Sequence, residues 1–461
     1  MKSLLGISLE KLILFAILIV GSFYLFIFPP GSIPDEANHF RSAYQNVNAI
    51  LNETSDDIGS LSMRKADVRL TIDYPQGPVR STYEYFRGNL FLPLPEGGSE
   101  IVDAPRDSGV PHPYIYAPQT LGILLARAID ANPEWLFLFG RIFNLIFYAV
   151  CIWLSVKLAP IGRGVIALVA LYPMTMHLAA SFSSDTFTIA LAFLALAQYL
   201  RIAYSDEPAK ILDLSLLILT MALLGPPKVV FLPMMMLAFF LPNKCFSSKK
   251  LAWYFRSIVA VVFLATAYIA YYVFMHRADG GVPVVVSGFV EEINTFDHIF
   301  ADPVLFIKTC KRTLDGYFEY FFHSMIGAEL GWIEISINKI VIDAFLVLSV
   351  LGAFKANIQE KTLLLRDRIQ FPLIFLISAL GTAIIMFVSW TPVGNWDILG
   401  IQGRYFLPAW PMVILFAARW KMPVRPAWLS DKALVMIACA LQVFVLVSAY
   451  LFISGRESVV L

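Results

Sequence analysis

Charge is scarce in this sequence. Asp, Glu, Lys and Arg make up 15% of its 461 residues, against about 25% in ordinary soluble domains. Neither sign is in excess: 35 basic residues face 34 acidic ones, a net charge of +1, which excludes any large basic or acidic partner surface. Cysteine is nearly missing too. Cys151 and Cys439 lie in apolar blocks, Cys245 in a basic connector and Cys310 alone in a loop, so no pair has disulfide or metal-ligand spacing. No internal repeat, soluble domain or low-complexity linker is visible.

What fills the chain instead is apolar. Hydrophobic residues make up 58% of it and the mean hydropathy is +0.70. They come in blocks of about 15–25 residues separated by short charged segments, each long enough to cross a ~30 Å hydrocarbon core as a helix. That pattern excludes a soluble enzyme, a nucleic-acid binder and a disordered chain. It predicts an all-α polytopic membrane protein built as a single domain over residues 1–461.

Eleven spans are predicted, over about 11–29, 135–156, 164–183, 186–204, 211–225, 229–243, 254–275, 337–354, 371–390, 405–420 and 433–453. The first reads as a retained anchor, because its apolar run is too long for a signal peptide and Phe28-Pro29-Pro30-Gly31 offers no small-residue cleavage site. The basic residues of the short loops set the orientation. With the N-terminus in the cytoplasm, Lys2, Lys11, Lys157, Arg163, Arg201, Lys210, Lys244, Lys249, Lys355, Lys361, Arg366, Arg419, Lys421 and Arg425 share one side. The short loops and tail on the other side hold only Lys228, Arg404 and Arg456. Two long segments, about 30–134 and 276–336, then fall outside. Tyr114–Ile129 and Phe300–Ile326 within them read as interfacial helices on the outer leaflet.

The informative polar residues collect on that outer face. Asp35, Glu36 and His39 follow the first span at once, a set suited to general-base or metal-binding work; Asp35 after Pro34 also suits a plain helix N-cap. Asp185, after Ser183-Ser184, either joins them or caps the fourth span. Lys228, after Gly225-Pro226-Pro227, either meets a lipid phosphate or snorkels to the headgroups. Arg404 in Gly400-Ile401-Gln402-Gly403-Arg404-Tyr405 offers a planar fork for phosphate, with Gln402 beside it. Tyr114, Trp332 and Tyr405 are aromatic candidates for substrate contact or for interfacial anchoring. Arg141, His177 and Asp343 are the main ionisable groups within the spans. Working charge gathered at one face, not at the midplane, favours a surface catalyst over a transporter.

These motifs together resemble one family. Pro34-Asp35-Glu36 with His39-Phe40, Pro113-Tyr114-Ile115-Tyr116, Ser181 to Asp185, Gly331-Trp332 and above all Gly400 to Pro408 resemble the bacterial membrane-protein family termed domain of unknown function 2142, over about residues 10 to 450. That family looks like a branch of the GT-C glycosyltransferases. The resemblance implies a GT-C-like bundle with external juxtamembrane helices and an essential acidic residue near the first span, matched by Asp35 or Glu36, with Asp185 in the next external loop. Where relatives often read Pro-Pro-Leu-Tyr, this chain has His112-Pro113-Tyr114-Ile115-Tyr116, and a substrate contact there differs accordingly.

The resemblance further implies an inverting transfer of a hexose, glucose by default, from a polyprenyl-phosphate donor to a lipid-linked or surface glycan such as O-antigen. The site would face outward from the bacterial inner membrane. In that reading Arg404, Lys228 and Gln402 hold the donor phosphate, Asp35 is the base, and Glu36 and His39 orient the acceptor or tune the base. No cofactor is expected, and a divalent metal on Asp35, Glu36 and Asp185 is the less favoured arrangement. A lipid-linked saccharide flippase and a polysaccharide polymerase or ligase remain the competing readings. Tyr74, Tyr83, Tyr85 and Phe86 among Arg64, Arg69, Arg80 and Arg87 are read either as a saccharide surface or as loop packing.

Overall fold

The computed structural model describes residues 6–455 except 54, 56–58, 73, 75–79, 106–111, 279–284, 287–288, 291, 355–360, 419–423 and 427. Of the basic residues that set the topology, Lys2, Lys355, Arg419, Lys421 and Arg456 lie outside the described residues.

The chain is mostly helical. The first span is α1 (Leu9–Ile27), and α2 (Glu36–Leu51) follows after one short turn. The rest of the first long loop holds α3 (Arg69–Ile72), α4 (Arg80–Asn89) and α5 (Ala117–Ala128). It also holds strands that an all-helical expectation does not contain: β1 (Ser60–Arg64) pairs antiparallel with β2 (Ile101–Pro105). Next come α6 (Pro133–Leu158), α7 (Arg163–Ala170), α8 (Pro173–Ala179), α9 (Asp185–Ala203), α10 (Ile211–Leu224) and α11 (Met235–Phe239). The second half runs through α12 (Lys249–Ala278), α13 (Phe296–Ala301), α14 (Pro303–Ile326), α15 (Lys339–Ala353), α16 (Leu365–Trp390), α17 (Trp410–Ala418) and α18 (Asp431–Ile453). The sheets are all two-stranded and none closes.

Among the described residues six helices, α1, α6, α9, α12, α16 and α18, are long and apolar enough to cross a membrane. The five other predicted spans are helical but shorter or broken, and prolines account for three of the breaks. The 164–183 span divides at Tyr172 because Pro173 has no N–H to donate. Its freed carbonyls find local donors. The single hydroxyl proton of Thr175 is within reach of the carbonyls of Val169, Ala170 and Tyr172, Tyr148 Oη donates to Ala170, and Gln442 Nε2 donates to Leu171. A break inside a membrane bundle survives only with such partners. Pro233 and Pro408 sit in the 3-10 turns Val229–Met234 and Gly403–Ala409, which replace the starts of two further spans. The two segments expected to lie at the interface are helical, as α5 and α14.

Burial sorts the helices. α9 is almost wholly enclosed, α6 packs beside it, and α1, α5 and α7 pack on α6. The outer helices turn large apolar side chains away from the protein: Phe15 and Ile19 on α1, Val261 and Leu264 on α12, and Leu376 and Leu380 on α16 are all exposed. Such a surface needs lipid around it. At the end of the bundle away from Asp35, the buried Asp367 carboxylate ties α9 to α16. It accepts hydrogen bonds from Tyr204 Oη at 2.7 Å, Gln370 Nε2 at 2.9 Å and the Arg366 Nε at 2.9 Å, besides Tyr199 Oη.

Of the arginines and aromatics of the first loop, Arg64, Arg69, Tyr74 and Phe86 are engaged in packing, while Arg80, Tyr85 and Arg87 are exposed. Arg64 grips Asp67 through two hydrogen bonds of 2.7 and 2.9 Å. Tyr74 Oη donates to Glu134, Arg69 pairs with the same carboxylate, and Phe86 is buried. The contact of α5 with α6 is closer still: a side chain on Gly122 would strike the backbone of Phe139 and Gly140. Gly122→Leu is therefore expected to lower stability by about 1–3 kcal/mol through overpacking. Gly88→Ala in α4, where the added carbon meets open space, should be neutral or stabilise by up to about 1 kcal/mol. Thermal unfolding of both variants in nanodiscs checks the contrast.

Candidate functional site

The site lies where α1 ends and α2 and α9 begin. Two acidic neighbours at the start of α2 have opposite fates. Glu36, the first residue of α2, turns inward and is fully buried. Its carboxylate accepts Arg141 Nε at 2.8 Å and Nη2 at 2.7 Å, Phe182 N at 3.2 Å and Gly31 N at 3.1 Å. Arg141, also fully buried, donates further to the carbonyls of Phe28 at 2.6 Å and Pro29 at 3.1 Å. The Glu36 carboxylate accepts four hydrogen bonds and Arg141 gives four, the dense pairing that a buried ion pair requires.

Asp35 is left exposed. Its backbone is left-handed, φ 62° and ψ 11°, and its side chain makes no capping hydrogen bond. Asp tolerates that region better than most residues, and a non-glycine residue held there marks a segment fixed by its surroundings. The Asp35 carboxylate lies 4.0 Å from Arg404 Nη2.

Arg404 and Lys228 converge on Asp185. Asp185 opens α9, and its carboxylate contacts Lys228 Nζ and lies 3.3 Å from Arg404 Nε. Both cations lie over the Tyr405 ring, Lys228 at 4.9 Å and Arg404 at 5.5 Å from its centroid, a geometry favourable to each. Arg404 is 7% exposed, and its Nε finds no hydrogen-bond acceptor. Burial disfavours its charge, but Asp185, Tyr405 and Asp35 outweigh that and hold its pKa above the ordinary value. Arg404 reaches this position because Gly403 lets the chain lie on α14, where any side chain would strike the backbone of Phe321 and Met325.

His39, one turn into α2, adds a neutral partner. Its Nδ1 meets Tyr116 Oη at 2.5 Å. Burial, opposed by Asp185 and Asp35 and assisted by Arg404 and Lys228, lowers its pKa from 6.5 to about 4. Tyr116 is buried and its own pKa is raised, chiefly by that burial. Six predicted residues thus come together: Asp35, His39, Asp185, Lys228, Arg404 and Tyr405.

The others are placed elsewhere. Trp332 donates its indole N–H to Gly31 O at 2.9 Å, on a glycine held at φ 78°. Tyr114 donates to Leu223 O at 3.1 Å and stacks edge-on against Phe187, and burial raises its pKa to about 12. Gln402 accepts Tyr405 N at 3.1 Å through its carbonyl and lines a cavity of about 20 Å³ with Arg404. Glu329 and His177 line the same cavity, each with a buried polar atom lacking a partner. Among the described residues no group of three or more His, Cys, Asp or Glu side chains is placed to hold a metal: Glu36 is committed to Arg141, and Asp185 to the two cations.

Two larger cavities adjoin the charges. One of about 540 Å³ has a polar wall of Asn38, His39, Ser42, Tyr116 and Ser184 facing an apolar wall that includes Ala267, Val273 and Ile385. Pro227 and Val229 on either side of Lys228 belong to its lining. The other, about 260 Å³, is apolar; it shares Val229 and Ile385 with the first and runs between α12 and α16 past Gly381.

Tyr116 and Glu329 carried no strong signal of their own in the sequence. Tyr116 was visible only as part of Pro113-Tyr114-Ile115-Tyr116, and the 3-10 turn Pro113–Tyr116 sends its two tyrosines to different neighbours.

A polytopic membrane protein with a buried charge cluster at one end of its bundle is the class these features define. The chain matches, over residues 18–413, the family described as predicted membrane protein, domain of unknown function 2142, and it belongs to that family. No curated protein and no solved structure matches it.

Two outcomes follow. Glu36→Gln leaves the Arg141 guanidinium buried without its counter-charge, and should lower stability by about 3–5 kcal/mol, read as a fall in thermal midpoint in nanodiscs. His39 binds its proton more weakly in the folded chain than at the free value of 6.5. Its contribution to stability is therefore full above that pH and declines as pH falls from 6.5 toward 4. His39→Gln should flatten the pH dependence of unfolding in that window.

Proposed function

We propose that this protein is a membrane glycosyltransferase. It moves a hexose, glucose by default, from a polyprenyl-phosphate donor to a cell-envelope glycan such as O-antigen, with inversion. The bundle is read as GT-C-like, with about eleven spans once the short and broken helices are counted. The N-terminus is assigned to the cytoplasm and the charge cluster to the outer face of the bacterial inner membrane, from the bias of basic residues in the short loops.

One observation carries the reading: two cations held side by side over one tyrosine ring, with the neighbours of Lys228 lining an amphipathic cavity and an exposed carboxylate 4.0 Å from Arg404. The cations suit a phosphate that gains charge as it leaves, and Asp35 suits a base. Glu36 is unsuited to that work because its carboxylate is already saturated by Arg141 and two backbone N–H groups. The apolar continuation between α12 and α16 suits a lipid chain lying next to its phosphate.

In the reaction, an acceptor hydroxyl oxygen attacks C1 of the hexose as the bond from C1 to the phosphate oxygen breaks. Asp35 takes the hydroxyl proton, and the electron pair stays on the lipid phosphate beside Lys228 and Arg404. Neutral His39, held by Tyr116, orients the acceptor. Preorganised positive charge at a developing anion is worth about 3–4 kcal/mol for one donor.

Radiolabelled polyprenyl-phosphate hexose, offered with lipid-linked glycan acceptors to purified protein in nanodiscs, tests the assignment. Asp35→Asn should lose about 10²–10⁴-fold in transfer, and Arg404→Ala about 10²–10³-fold, at matched folding. Transfer that survives Asp35→Asn would remove Asp35 as the base. Binding of the lipid with no transfer to any acceptor would put the flippase reading ahead. Activity only with a pyrophosphate donor would make the protein a polymerase or ligase.

A further inference from the structure

The proposed reaction changes the charge at its phosphate. The donor is a phosphodiester with one negative charge, while the product is a monoester carrying close to two at neutral pH. Any site that stabilises the departing phosphate therefore holds the product more firmly than the donor. Release then needs something to take the cations back.

The two arginines of the region differ in a way that bears on this. Arg141 is locked: it gives four hydrogen bonds, two of them to Glu36. Arg404 is not. Its Nε is within ion-pair distance of Asp185, at 3.3 Å, yet makes no hydrogen bond, and its Nη2 only approaches Asp35 at 4.0 Å. Lys228, the second cation, contacts the same Asp185 carboxylate. The cluster thus balances two cations, Lys228 and Arg404, with two carboxylates, of which Asp185 alone touches both cations. Both cations also lie over Tyr405, which keeps them paired when the carboxylate lets go.

We propose that Asp185 is the resident anion of this phosphate site: it holds Lys228 and Arg404 when the site is empty, yields them to the donor phosphate, and displaces the lipid phosphate product by reclaiming them. This makes Asp185 a positioning residue that sets product release, and it rests on the reading of Lys228 and Arg404 as a phosphate site. No bond is made or broken at Asp185 in this role; one ion pair replaces another.

Removal of the resident anion gives an effect opposite to ordinary loss of a binding residue. Asp185→Asn should bind dodecyl phosphate, a single-chain phosphate monoester, at least about tenfold more tightly than wild type, as read by calorimetric titration in nanodiscs. In turnover, kcat should fall while KM for the donor falls with it, and the lipid phosphate product should become a stronger inhibitor. Asp185→Glu should restore wild-type affinity. Asp185→Thr, which keeps a short polar side chain at the start of α9, should show the same tightening and serves if the Asn variant folds poorly.

Unchanged or weaker binding in both neutral variants would overturn the proposal, since Asp185 would then only prop the cations in place. Arg404→Ala separates that failure from a failure of the site itself. If wild-type binding of dodecyl phosphate depends on Arg404 but is not tightened by loss of Asp185, the resident-anion role alone is wrong. If it does not depend on Arg404, or does not occur, the phosphate site and this role fail together.

Discussion

The ion pair of Glu36 with Arg141 is the constraint on which the site depends. It joins five segments: α6 through Arg141, the end of α1 through Phe28 and Pro29, the turn at Gly31, the start of α2, and the α8–α9 connection at Phe182. Two charges removed from water are favourable only when their hydrogen-bonding groups find partners, and here the pair makes six hydrogen bonds. Because Glu36 is turned into the protein, its neighbour Asp35 is left at the surface on a left-handed residue. The same pair fixes the connection that carries Asp185, three residues beyond Phe182. Position of both acidic groups of the candidate site therefore follows from one buried contact.

Close approach supplies the rest. Arg404 depends on Gly403 lying on the backbone of α14, and Tyr405 then sits under both cations. Charges at a low-dielectric boundary interact more strongly than in bulk water, so two cations and two carboxylates in this place are tightly coupled. An incoming anion enters as a competitor for existing pairs. That property, more than the identity of any one residue, distinguishes the cluster from lysines and arginines that merely anchor a helix at the headgroups.

Much of this was legible in the sequence, and the reasons differ by feature. The apolar blocks fall on helical segments, six of them on helices long enough to cross a membrane among the described residues, but length alone could not show that Pro173, Pro233 and Pro408 break or delay three of the others. The paired strands β1 and β2 were missed because five-residue segments inside a polar loop carry little periodicity. Among the candidate residues, Asp35, His39, Asp185, Lys228, Arg404 and Tyr405 lie close together in the structure, and the sequence offered them as candidates because the expected topology puts them on one face. The motifs could not separate Asp35 from Glu36. Adjacent carboxylates look alike until a partner is found, and Arg141 lies 105 residues away from Glu36. Tyr114 and Trp332 read as candidates for substrate contact or interfacial anchoring, and in the structure each gives its polar hydrogen to a backbone carbonyl.

The central claim is that Lys228 and Arg404 form the phosphate site of a sugar-transferring membrane enzyme. An electron cryomicroscopy map of the protein in nanodiscs with polyprenyl phosphate tests it most directly. The account predicts phosphate density within hydrogen-bond reach of both cations, Asp185 turned away from them, and the lipid chain between α12 and α16. Phosphate bound elsewhere, with Asp185 still holding Lys228 and Arg404, would contradict it.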